Sequence, residues 1–167
     1  MLPLVKTLME IVLLRKGPDS IPRSAVLLIM IVVLWLFSSL AVLALIEQFD
    51  ESDFLLGLFT ALVGILCYAA VVVISGHSPR VLQTVSAVLG CGALISLAFV
   101  AEFVLFTPFL GQSISGIVAQ LILLWSVPVE GHIIARAIDR HWYVGILIAI
   151  SVFVLQFVIY NIVSVAP

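Results

Sequence analysis

The sequence predicts an all-α polytopic membrane protein, with five transmembrane helices, N-terminus in and C-terminus out, preceded by a short interfacial amphipathic helix. Three observations predict it. Of 167 residues, 64% are hydrophobic and only 10% are charged, with a mean hydropathy of +1.38, whereas a soluble domain carries about 25% charged residues. Five apolar stretches, 24–46, 54–76, 81–106, 113–135 and 142–165, each supply the roughly 20 residues needed to cross about 30 Å of hydrocarbon. None of them alternates polar with apolar residues. In lipid only helices and closed barrels satisfy their own backbone groups, so these stretches are helices. The remaining segments are too short and scattered to build a soluble catalytic head.

Residues 1–23 make the first unit. The stretch 2–16 is too short to span. Leu4, Val5, Leu8, Met9, Ile11 and Val12 cover most of its surface, while Lys6 and Glu10, four residues apart, share a face on which they can pair. Glu10 interrupts the apolar run and no small-residue cleavage site follows, unlike a secretory signal. The segment is expected to lie in the membrane interface on its apolar face, with Arg15 and Lys16 as anchors near anionic headgroups. Gly17-Pro18-Asp19-Ser20-Ile21-Pro22 then turns the chain toward the first span, where Pro22 suits the first helical turn.

The remaining unit, 24–167, is the five-helix bundle. Glu47, Asp50, Glu51 and Asp53 separate the first two spans, and Gly76-His77-Ser78-Pro79 separates the second from the third. Thr107-Pro108 with Gly111 is expected to break the chain between the third and fourth. Arg136 and Arg140 flank the turn into the fifth, which opens on Trp142 and Tyr143 as an interfacial aromatic pair. All seven basic residues, Lys6, Arg15, Lys16, Arg23, Arg80, Arg136 and Arg140, fall on one side of this layout. Positive charge is retained in the cytoplasm, which sets the expected orientation and speaks against a dual-topology dimer. Loops this short make neighbouring spans antiparallel hairpins and leave little room for a binding site between them.

Polar groups within the spans are the candidate functional residues. The run Trp125-Ser126-Val127-Pro128-Val129-Glu130-Gly131-His132 combines a helix-kinking proline with two ionisable groups. Glu130 and His132 lie about 9 Å and 6 Å inward of Arg136 at the helical rise, and the three are taken as an intramembrane polar cluster. His132 and Arg136 share a face; Glu130 points elsewhere and needs a partner from another helix, with Arg80, Arg140 and His77 as candidates. The cluster reads as an inter-helix clamp, as a proton- or ion-handling site, or as a partner contact. Glu102 lies about 32 Å from the inner edge and is expected to be a solvated carboxylate beside the acidic outer loop. His77, His132 and His141 all fall at the inner side, but no His-x-x-x-His or Glu-x-x-His spacing occurs, so neither metal nor other cofactor is expected. Cys67 and Cys91 sit at similar depth and read as packing thiols; two cysteines make no disulfide framework.

Small residues four apart, at Gly57 and Ala61, Thr60 and Gly64, Ser86 and Gly90, Gly92 and Ser96, and Gly145 and Ala149, are expected to seat helices against one another within the chain. The deep indoles of Trp35 and Trp125 need hydrogen-bond partners, for which Ser38, Ser39, Gln120 and Ser126 are at hand. Gln120 and Gln156 can bond across helices. No nucleophile, base and orienter set, phosphate-cradling loop or basic nucleic-acid patch occurs, so neither an enzyme nor a nucleic-acid binder is expected.

Five closely spaced spans with Gly17-Pro18 ahead of the first and the C-terminus outside resemble the layout of the Yip family of small membrane proteins. The resemblance covers the layout, and no functional residue is carried over from it. It implies a non-enzymatic role in membrane organisation or complex assembly. The expected function is that of an accessory, assembly or scaffold subunit beside a larger complex in a bacterial cytoplasmic membrane, with the lipid bilayer and a membrane protein or a second copy as partners. The alternative is an oligomeric conduit for protons, ions or a small solute that uses Glu130 and His132. Five spans do not divide into two equal repeats, which weakens an inverted-repeat transporter.

Overall fold

The computed structural model describes residues 2–45 and 51–165; Glu47 and Asp50 of the acidic loop lie outside them, as do the side chains of Glu51 and Asp53. Among the described residues the chain is helical and without strands. Its elements are α1 (Leu2–Val12), α2 (Ala25–Leu43), α3 (Glu51–Ile74), α4 (Val81–Leu110), α5 (Gln112–Leu124), α6 (Ser126–Ala137) and α7 (Trp142–Val165), with single 3-10 turns at Pro18–Ser20 and Ser78–Arg80. Five helices are long and apolar enough to cross a membrane, α5 and α6 counting together as one.

Each boundary has a local cause. Ser24 caps α2 by accepting the Leu27 N–H at 3.3 Å, a contribution of about 1 kcal/mol. Pro22 therefore stays outside the helix it was expected to open, and Pro18 takes the first position of the 3-10 turn instead. Thr107-Pro108 does not end the third span. α4 runs through Pro108 to Leu110, because in apolar surroundings a freed backbone group finds no water and the helix loses only the bond proline cannot make. The chain turns at Gly111 (φ 76°), whose N–H bonds to Thr107 O at 3.0 Å. A positive φ suits glycine. The fourth span is broken where the sequence places its proline. Pro128 has no N–H for the Leu124 carbonyl, α5 ends at Leu124, and α6 restarts one residue later with a long 3.3 Å bond from Val129 N to Trp125 O.

α4 is the axis of the fold, with α1, α2, α3, α5 and α6 all packed on it, while α7 lies across α6 and α3. One core cluster joins Leu8, Ile11 and Ile21 to Cys91 and Ile95 of α4 and to Val129 and Ile133 of α6. A second joins Tyr68 and Val72 of α3 to Ile134, Ile138 and Val152. The two cysteines divide between them: Cys91 is buried under α1, whereas Cys67 packs at the second cluster. Leu8 and Ile11 of α1 thus meet protein, with Leu8 seated on Gly90 and Cys91, about 15 Å along α4 from Val81, while Val5 and Met9 stay exposed.

The small-residue seams work within the chain at three places. A Cβ on Gly145 would strike the Gly131 carbonyl oxygen, and a Cβ on Gly131 would fall 2.9 Å from Ile146 Cα, so α6 and α7 touch backbone to backbone. Gly90 leaves room for Leu8, and Gly64 for Gln156. Gly57 has open space at its Cβ position and belongs to no such seam.

Candidate functional site

Glu130 stands in the second turn of α6, two residues beyond Pro128, and faces α3. The Tyr68 hydroxyl donates to Glu130 Oε2 at 2.6 Å, from a tyrosine only 3% exposed. Neither Arg80, Arg140 nor His77 is its partner, and no ion pair among the described residues includes Glu130. The pair borders a crevice of about 90 Å³ walled by Trp35, Gly64, Gly92 and Gln156. Gln156 Nε2 donates to Thr60 O at 2.9 Å, so the expected cross-helix bond is made and ties α7 to α3. Unpaired polar groups in a water-poor interior are costly, and these bonds satisfy the seam between α3, α6 and α7 from within.

His132, 7% exposed, faces the other way. Its Nε2 lies 3.0 Å from Lys16 O. A carbonyl only accepts, so Nε2 carries the proton and the ring pins the segment after α1 to α6. The Trp125 indole does the same about two turns earlier: its Nε1–H donates to Val12 O at 3.0 Å. That partner replaces the serines and glutamine proposed from the sequence. It is available because α1 ends beside α6 with carbonyls that no helical donor reaches. Arg136, the third member of the expected cluster, is exposed and packs its stem by Gly17, whose Cβ would lie 3.2 Å from Arg136 Cβ. Glu130 therefore stands apart, whereas His132 and Arg136 share the face of α6 that meets the segment after α1.

The secondary candidates also find unforeseen partners. Arg80 Nη1 donates to Asp139 Oδ2 at 2.8 Å and to the Ala137 and Arg136 carbonyls at 3.1 and 3.3 Å, and His77 Nε2 reaches the same carboxylate at 3.2 Å. A cation over the last carbonyls of α6 is favourably placed against the helix dipole. The hydrogen bond from Arg80 is the main cause that holds the Asp139 carboxyl below its ordinary range, against desolvation, with the charges of Arg80 and His77 adding to it. Arg140 and His141 are exposed beside this corner.

Glu102 is not solvated. It is 6% exposed, enclosed between α4 and α5, and accepts from Ser115 Oγ at 2.9 Å, with Thr107 Oγ1 2.7 Å from that hydroxyl. The cause is the tight turn at Gly111, which folds the first turn of α5 back onto the last turns of α4. At the other end of the molecule, Lys16 pairs with Glu10 at 2.7 Å, in place of the Lys6 partner expected from helical spacing. The Lys16 hydrogen bond is also the chief cause that lowers the Glu10 pKa, with Lys16, Lys6 and Arg15 charges adding to it against desolvation. Arg15 is exposed.

Three residues that bind the arrangement together escape sequence reading: Tyr68, Asp139 and Gln83. Tyr68 had a usable signal, since eight residues before Gly76 places it about 12 Å from the end of its span, level with Glu130. Gln83, buried in the first turn of α4, donates to Ile21 O at 2.6 Å and accepts from Arg23 Nε at 3.0 Å. It fastens the Gly-Pro turn to the axis helix. Among the described residues no three His, Cys, Asp or Glu side chains gather to hold a metal ion. In comparisons with known proteins, no family model, curated protein or solved structure matches the chain.

Proposed function

We propose that this chain is a small accessory or assembly subunit of a bacterial cytoplasmic membrane, oriented with its N-terminus inside, that works through its apolar perimeter beside a larger membrane complex. One observation carries the reading: the polar side chains that a conduit would need join helices to one another. Glu130 holds α6 to α3 through Tyr68, and His132 and Trp125 hold α6 to the N-terminal segment. A molecule whose polar groups are engaged internally has lipid- and protein-facing surface left to act with. The seven-residue basic bias supports the orientation, and the layout resembling the Yip family points to the same class of role. Native mass spectrometry of the protein extracted gently from its own membrane should show a stoichiometric membrane-protein partner. A chain that runs alone under every mild extraction overturns the proposal.

One feature favours the conduit as a second reading. The crevice at Glu130 shares Trp35 with a further crevice of about 230 Å³ lined by Ser39, Gly57 and Ser96, toward the end of the bundle away from Arg80. A conduit requires proton or solute flux in proteoliposomes that Glu130→Gln abolishes. Absence of flux in the wild-type chain removes this reading and leaves the first untouched.

A further inference from the structure

At the basic end of the bundle the turn after α1, the end of α6 and the start of α7 border an open cavity of about 580 Å³, lined by Leu14, His132, Arg136, Arg140, His141 and Trp142. That volume lies within the roughly 300–1,000 Å³ usual for ligand sites. Arg136 and Arg140 are exposed, and the ion pairs among the described residues include neither. The carboxylate at this wall, Asp139, is held by Arg80 and His77, which leaves both guanidinium groups of the cavity without an anion. The α7 N-terminus opens into the same space, and its first-turn amides and dipole favour negative charge there.

The backbone around the cavity is unusual in a second way. Leu14 (φ 60°) and Asp139 (φ 51°) are the non-glycine residues with positive φ among those described, and both line it. Each closes a helix by the same device, with the following N–H bonded five residues back: Arg15 N to Glu10 O at 2.8 Å and Arg140 N to Ala135 O at 2.9 Å. Glycine would suit either position better. Strain of this kind persists where the surrounding structure holds it, and here both strained residues shape one site. Trp142 and Tyr143, 52% and 60% exposed, mark the same level as the aromatic belt of a membrane interface.

We propose that this cavity is a phosphate-binding site for the headgroup of an anionic phospholipid, with Arg136 and Arg140 as its ligands and the α7 N-terminus behind them. The guanidinium fork matches a phosphodiester in two parallel hydrogen bonds, which a point charge cannot do. Trp142 lines the same cavity, and an exposed indole suits the interfacial level at which a lipid's glycerol backbone lies. The site is independent of the partner proposed above, since it needs only lipid and the protein.

The full chain in neutral detergent, given phosphatidylglycerol or phosphatidylcholine of matched chains in separate native mass spectrometry titrations, tests the site. Wild-type protein is expected to retain phosphatidylglycerol at collision energies that strip phosphatidylcholine. Arg136→Gln and Arg140→Gln should each weaken that retention by about tenfold, and Lys6→Gln should leave it unchanged. A third titration with inorganic phosphate distinguishes the sources: displacement of the lipid by millimolar phosphate assigns the site to the free anion, and persistence of the adduct assigns it to the lipid. Equal retention of the two lipids by the wild-type chain overturns the proposal without recourse to any variant. Arginine variants that bind phosphatidylglycerol as the wild type does overturn it as well.

Discussion

At the scale of single residues, the Glu130–Tyr68 bond is the most informative contact in the molecule. It joins α6 to α3 through a phenol that donates to a carboxylate at 2.6 Å. Inter-helix hydrogen bonds in membranes contribute about 0.6 kcal/mol on average and up to about 1.7 kcal/mol. A double-mutant cycle of Tyr68→Phe and Glu130→Leu should therefore show coupling of about 1 kcal/mol in detergent unfolding, with Glu130→Gln milder than Glu130→Leu because its carbonyl still accepts the phenol. Strict additivity of the two changes would show that the bond contributes nothing. Asp139 yields a prediction in pH. Its carboxyl is depressed below 3.8, chiefly by the Arg80 hydrogen bond, so the stabilisation it gives is complete above its unfolded value and is lost as pH falls through the folded one. The gap in thermal midpoint between wild type and Asp139→Asn should be constant above about pH 5 and narrow as pH drops below 3.8. A gap that stays the same down to about pH 2 would mean the carboxylate charge is not what holds the corner.

Among elements, α1 forms as the sequence predicts, and the structure adds that part of its apolar surface is covered by protein. Its amphipathic pattern identifies an apolar face without saying whether lipid or protein covers it, since both are equally good solvents for leucine. Gly90 leaves space on α4 for Leu8, so this side of α1 is covered by protein, and the carbonyls of Val12 and Lys16 meet Trp125 and His132. Leu8→Ala should open a cavity at this contact and cost about 2–5 kcal/mol. It should also expose the Cys91 thiol, which is 1% exposed beneath Leu8. In a Cys67→Ala background, maleimide labelling of Cys91 is expected to be slow in the parent and at least several-fold faster with Leu8→Ala. Equal rates would mean that α1 does not cover the thiol. The divided fourth span was more legible: Pro128 stands within its span, and α5 ends at Leu124, whose carbonyl the proline cannot serve. The continuous α4 was not, because Thr107-Pro108 reads as a helix end, whereas Pro108 costs α4 one backbone bond and the chain turns at Gly111.

At the scale of the whole molecule, the sorting of charge predicts one orientation. A C-terminal alkaline phosphatase fusion should be active and a C-terminal green fluorescent protein fusion dark if the basic end faces the cytoplasm; the reverse pattern would invert the proposed topology and place the arginine cavity in the outer leaflet. Composition and the spacing of apolar runs were enough to specify five spanning helices, because crossing about 30 Å of hydrocarbon leaves a chain few alternatives. They also singled out Glu130 as a residue in need of a partner, and His132, Arg80 and Glu102 as polar groups to be placed. The partners themselves, Tyr68, the Lys16 carbonyl, Asp139 and Ser115, were decided by the tertiary structure alone. Helical periodicity determines the direction in which a side chain leaves its own helix, but the neighbour it meets depends on how helices cross. Those crossings are set by where small residues let backbones approach, as at Gly131 and Gly145, and by how tightly the turns at Gly111 and Asp139 fold one helix onto the next.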